Sequence, residues 1–124
     1  MVLTTNFDPL IEVSIRAAGG TPLSISLDQD ARFDHAMPGI VKVVHLCGFW
    51  LHNDTLHVQT QLQKPRPMLA DALRQLLQNH ALVTLAYGGW ADAVALAIAE
   101  SFKLAGTPFD VLWTFFGRQK TSRA

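Results

Sequence analysis

The sequence predicts an α/β domain: a Rossmann-like parallel sheet with helices on both faces. Three observations carry that expectation. Short runs rich in Val, Ile and Leu, such as "IVKVVHL", are nearly continuous in apolar character, as strands covered on both sides require. Amphipathic segments at helical spacing stand between them. Glycine pairs and prolines mark the joins.

Taken in order, Val2 to Thr5 reads as a short buried strand. Asp8 then suits a helix N-cap with Pro9 at the first helical position. The helix runs to about Ala18, with Leu10, Ile11, Ile15 and Ala18 on one face, and Gly19-Gly20 ends it. Pro22 to Leu27 is a second strand, and 28–39 reads as loop. Ile40 to Leu46 is a strand buried on both faces. Residues 49–63 follow no clear period. Pro67 to Asn79 is a helix carried by Leu69, Leu73, Leu76 and Leu77. Ala81 to Tyr87 is another buried strand, followed by Gly88-Gly89 and a helix over 90–104 with Val94, Ala97, Ile98 and Phe102 inward. Phe109 to Phe116 is the last strand, and residues 117–124 form a polar tail.

Composition bounds the function. The chain has 124 residues, enough for one domain, with 49% apolar and 16% charged residues. Ten basic residues balance ten acidic ones, so no basic field is present to hold a nucleic acid. So low a charge content suits a surface covered by further domains or by a second copy. No apolar stretch reaches the roughly 18 residues of a membrane span, and no leader opens the chain. A single cysteine excludes an internal disulfide and suits the cytoplasm.

In an open parallel sheet, ligands bind beyond the carboxyl ends of the strands. Three segments place polar or glycine-rich residues there: Asn6-Phe7-Asp8, His45-Leu46-Cys47-Gly48, and Tyr87-Gly88-Gly89-Trp90. At these positions the chain resembles a known family. "TTNFDPLIE" resembles a segment of sirtuin-like domains, and "VVHLCGFW" their strand that ends in a histidine-glycine pair. "LAYGGWADAV" and "VLWTFFGR" resemble stretches of the zinc-less branch found in bacterial defence proteins. The match covers residues 2–116 in order, the extent of the expected domain being 1–116.

The resemblance implies a domain that binds NAD as substrate and breaks its nicotinamide–ribose bond, with no metal. Departure of nicotinamide leaves positive charge on the ribose, as in glycoside hydrolysis. A carboxamide such as Asn6 suits ribose hydroxyls or an attacking water, and Asp8 suits the nicotinamide amide. A histidine suits removal of a proton near neutral pH. The catalytic candidates are therefore Asn6, His45 and Cys47. The nucleotide-binding candidates are Thr5, Asn6, Phe7, Asp8, Gly48, Tyr87, Gly88 and Gly89.

The departures count as much. Where the family keeps the histidine of its pair, this chain has Cys47. His45 lies on the same strand face but one step of about 6.6 Å further back. A thiol with a pKa near 8.5 is mostly neutral at pH 7 and replaces imidazole poorly. Losing the base costs on the order of 10² to 10⁴ in rate. Ala86 replaces a glycine of the later motif and Ala91 an acidic residue. The family's opening strand and glycine-rich pyrophosphate loop have no counterpart after Met1, so we expect part of a domain, with weak or no activity.

Blander roles compete. Asn6 and Asp8 suit helix capping. Cys47 suits a small buried hydrophobe better than a nucleophile. His45, Cys47, His52 and His57 match no zinc spacing. His35 and His80 suit loop or helix-end positions, and the three tryptophans suit packing. A non-catalytic nucleotide-binding or interaction module with the same fold is the alternative function. Protein deacylation ranks below both.

Overall fold

A computed structural model of the chain describes residues 1–27, 33, 37–49, 64–86, 93–104 and 110–114. Its elements run β1 (Val2–Thr4), α1 (Leu10–Ala17), β2 (Pro22–Ser26), β3 (Val41–His45), α2 (Pro67–Leu77), β4 (Leu82–Thr84), α3 (Ala93–Leu104) and β5 (Val111–Trp113). Every strand pairing is parallel, in one sheet ordered β1-β3-β2 and a second made of β4 and β5. This α/β arrangement agrees with the Rossmann-like class expected from the sequence.

The register levels one end of the first sheet. Thr4 and Ser26 both lie opposite His45, so β1, β3 and β2 finish together. Hydrogen bonds continue one residue further, with Leu46 N–H donating to the Thr4 carbonyl at 2.8 Å and Leu27 N–H to the His45 carbonyl at 2.9 Å. The segments after β1 and β3 thus leave the sheet side by side.

Strand alternation sorts the side chains onto two unlike faces. Leu3, Ile25, Leu27 and Val44 belong to the apolar core, which they share with Leu69, Ala70 and Leu73 of α2 and Val94 and Ala97 of α3. The opposite face carries Ser24 and His45, and it is covered by α1 through Glu12. Helices therefore cover both faces. Each fully buried Leu or Val of the core contributes about 1.5–3 kcal/mol, which places most of the fold's stability on the α2–α3 side.

Helix ends follow from local sequence. Asp8 Oδ1 accepts the Leu10 N–H at 3.1 Å as α1 begins. Gly19, at φ 83°, lets the chain turn out of the helix where other residues would be strained. Pro67 opens α2 without losing a hydrogen bond, because an N–H there would have no partner in the helix.

Several expectations need correction. The face of α1 formed by Leu10, Ile11, Ile15 and Ala18 lines an open surface groove of about 390 Å³, and Leu10 is 65% exposed. Glu12 is the residue α1 buries. Of the strands expected over 81–87 and 109–116, the described residues hold Leu82–Thr84 and Val111–Trp113, and the first, expected to be buried, leaves Val83 53% exposed although Thr84 is buried; Leu112 is 60% exposed. No sheet or helix covers those side chains among the described residues. Phe102, expected inward, is exposed, because α3 turns Val94, Ala97 and Ser101 to the interior instead. Residues 28–32, 34–36, 50–63, 87–92, 105–109 and 115–124 lie outside the described residues, and with them Tyr87, Gly88, Gly89, Trp90, Ala91, His35, His52 and His57.

Candidate functional site

Asn6 stands just past the carboxyl end of β1, and its backbone is held on both sides. Its N–H donates to Thr4 Oγ1 at 3.1 Å, and its carbonyl accepts from His45 Nδ1 at 2.9 Å. The residue itself is exposed, and its side-chain amide makes no hydrogen bond among the described residues. A carboxamide with two donors and an acceptor is thus presented to solvent on a fixed backbone. Thr5 and Phe7 flank it half-buried, and Phe7 packs against the core. Asp8 spends one carboxylate oxygen on the start of α1.

His45 is 0% exposed and does not project into the crevice. Because a backbone carbonyl only accepts, its Nδ1 must carry the proton given to Asn6. Its Nε2 lies 2.7 Å from Glu12 Oε1, along a line that holds one shared proton. The Phe49 ring packs against the imidazole at a centroid distance of 4.3 Å. Ser24 Oγ donates to the same Glu12 oxygen at 2.6 Å. The other oxygen, Oε2, is buried and accepts no hydrogen bond among the described residues.

Burial raises the Glu12 pKa. Hydrogen bonds from Ser24, His45 and its own backbone N–H, together with the charge on His45, outweigh burial and hold the carboxyl below its ordinary value of 4.5. Glu12 escaped the sequence reasoning because its neighbours Leu10, Ile11 and Ile15 mark the other side of the helix as apolar. The available signal was β2, where Ser24 and Ser26 alternate with Leu23 and Ile25 and so give the sheet one polar face.

Cys47 and Gly48 follow β3, next to the Asn6 segment. Cys47 is buried within the apolar core, a place for a small hydrophobe. Gly48 takes φ 96°, a conformation that a side chain disfavours. A second residue unforeseen from the sequence is Arg66, just before α2. Its buried guanidinium donates to the carbonyls of Leu46 and Leu27, joining the ends of β3 and β2. A cation beside a helix N-terminus opposes the helix dipole, which is the one hint its position offered.

Tyr87, Gly88 and Gly89 are the expected site residues that fall outside the described ones, so the geometry brings together only the first two segments. His80 is exposed at the end of α2, where Nδ1–H donates to the Leu76 carbonyl at 3.0 Å. Among the described residues, no group of three or more His, Cys, Asp or Glu is placed to hold a metal ion. None of the described helices is long and apolar enough to cross a membrane.

The family model of the SIR2-like domain matches residues 1–123. No curated protein and no solved structure matches the chain. SIR2-like domains use NAD as substrate, which sets the general character of the function. A family model that spans nearly the whole chain, over a parallel α/β fold whose β1 and β3 finish side by side, shows that this protein belongs to the SIR2-like domain family.

Proposed function

We propose that the chain binds NAD beyond the carboxyl ends of β1 and β3 and cleaves its nicotinamide–ribose bond slowly. One observation carries this: the exposed amide of Asn6, which makes no hydrogen bond among the described residues, on a backbone hydrogen-bonded at both its N–H and its carbonyl. Such a group loses little freedom when it binds a ribose hydroxyl or aligns a water against the charge that develops as nicotinamide leaves. Gly48 supports close approach of a nucleotide to the backbone. The second carboxylate oxygen of Asp8, without a hydrogen bond among the described residues, suits the nicotinamide amide, with Thr5 and Phe7 beside it. Tyr87, Gly88 and Gly89 complete the nucleotide-facing set in this proposal.

A non-catalytic nucleotide-binding module is the second reading. The buried state of both His45 and Cys47 favours it, since neither is poised to take a proton from a bound substrate. The likeness of "LAYGGWADAV" to the zinc-less defence branch supports NAD degradation in a phage-defence or stress setting, in the cytoplasm, over lysine deacylation. The exposed apolar faces of α1 and of the β4–β5 sheet support contact with further domains or a second copy.

Calorimetry with NAD, together with chromatographic detection of nicotinamide, separates the readings. Turnover sharply reduced by Asn6→Ala supports cleavage at this site. Binding without nicotinamide release supports the module. Neither binding nor release rejects both.

A further inference from the structure

The polar face of the first sheet holds a network that substrate contact does not explain. A carboxylate on α1, an imidazole on β3 and a hydroxyl on β2 meet beneath the Asn6 segment, the first two sealed from solvent. Burying such groups is costly unless each is hydrogen-bonded. An apolar trio would fill the space at lower cost, so the position invites a role. Among the described residues the network has one hydrogen bond leading out of it, from His45 Nδ1–H to the Asn6 carbonyl at 2.9 Å.

We propose that Glu12 and His45 are positioning residues for Asn6: the Glu12 carboxylate orients the imidazole, and the imidazole grips the Asn6 carbonyl and so aims the Asn6 amide. The idea rests on the reading of Asn6 as the substrate-facing group. Glu12 Oε1 takes the Nε2 side of the ring, which leaves Nδ1 facing Asn6 with its proton. Phe49 packs on the ring and restrains its tilt. Ser24 holds the same carboxylate oxygen from the edge strand, so three elements fix one histidine rotamer. With Thr4 Oγ1 holding the Asn6 N–H, the peptide units on both sides of the Asn6 side chain are fixed. Freedom in that segment would spread the amide over positions where it no longer meets the reacting centre.

Two substitutions at one position separate positioning from bulk stability. The amide of glutamine reaches toward the place of Nε2, and that of asparagine toward Nδ1. His45→Gln therefore keeps the link to Glu12 and loses the grip on Asn6, whereas His45→Asn does the reverse. The readouts are amide hydrogen exchange at Asn6 and the separate kcat and KM for NAD cleavage. For His45→Gln we expect exchange at Asn6 to rise about tenfold or more, against unchanged exchange in α2. We also expect kcat to fall by roughly the same factor with KM little altered. His45→Asn should disturb Asn6 exchange and kcat less. Adding His45→Gln to Asn6→Ala should cost little further rate, because the two act through one group. Glu12→Gln, whose amide N–H can donate to Nε2 of the neutral imidazole, should retain most of the protection at Asn6. The proposal is overturned if His45→Gln leaves Asn6 exchange unchanged, if His45→Asn is the more damaging at Asn6, or if the two rate losses add in full. Should the wild-type chain release no nicotinamide, the NAD reading fails by itself. The exchange comparison still decides whether His45 holds Asn6.

Discussion

His45 Nε2 and Glu12 Oε1 lie 2.7 Å apart, with both side chains sealed from solvent. The contact joins β3 to α1 and inverts the helix face that apolar spacing selects. A buried acid–imidazole pair stabilises the fold only while it stays intact. Removing one partner strands a charge and costs about 3–5 kcal/mol.

Acid should unfold this protein partly through Glu12. Its folded pKa lies below the ordinary value of 4.5, so its stabilising contribution is complete above that value. The contribution is lost as pH falls through the folded pKa. Melting temperatures of wild type and Glu12→Gln, measured from pH 7 down to 3, should converge as the pH drops below that ordinary value and through the folded pKa. Parallel profiles across the range would show that Glu12 is not the anion of the pair.

Ala86 is the one non-glycine residue with positive φ among those described, at 53°. That conformation costs an alanine about 1–2 kcal/mol, and glycine gives back about 0.4–1 kcal/mol through greater unfolded-state freedom. Ala86→Gly should therefore stabilise the protein by up to about 1.6 kcal/mol. The measurement is denaturant unfolding at constant slope, and a lower midpoint would contradict the strain.

Cys47→His should move activity and stability in opposite directions. An imidazole at this position restores the residue type that sirtuin-like domains keep before the glycine, and NAD cleavage should rise tenfold or more where the larger ring turns out of the core toward the Asn6 segment. Cys47 sits in the packed core, so the larger ring should cost about 1–3 kcal/mol. A stable variant with no gain in nicotinamide release would favour the non-catalytic module.

Two leucines test where the stability resides. Leu69 is fully buried between the sheet and α3, and Leu69→Ala should cost about 2–5 kcal/mol. Leu10 lies on the open side of α1, and Leu10→Ala should change stability by about 0.5 kcal/mol or less. Equal losses at the two sites in urea unfolding would mean that the groove of α1 is covered in solution.

Much of the architecture was legible because local patterns and tertiary needs agree. "IVKVVHL" is apolar on both sides of its strand, and β3 is the strand with helices on both faces. Leu69, Leu73 and Leu77 keep helical spacing, and α2 buries all three. Asp8 holds the Leu10 N–H as expected of a helix starter, but the cap falls one residue later than the sequence places it, at Pro9. The Asn6 and Cys47-Gly48 segments were placed at strand ends from order alone, and parallel pairing brings them together because β1 and β3 are neighbours.

By itself, then, the sequence determined the α/β class, the element order and the family motifs, since these depend on periodicity and on residues close in the chain. Only the tertiary structure decided which side of α1 is buried, that His45 is spent on Glu12 and the Asn6 carbonyl, that Cys47 belongs to the core, and that Arg66 ties two strand ends. Each of these depends on a partner far away in sequence: 33 residues separate Glu12 from His45 and 39 separate Asn6 from His45. Helical periodicity ranks faces by hydrophobicity alone. A polar sheet face reverses that ranking, because a buried histidine must be satisfied before apolar area can be counted.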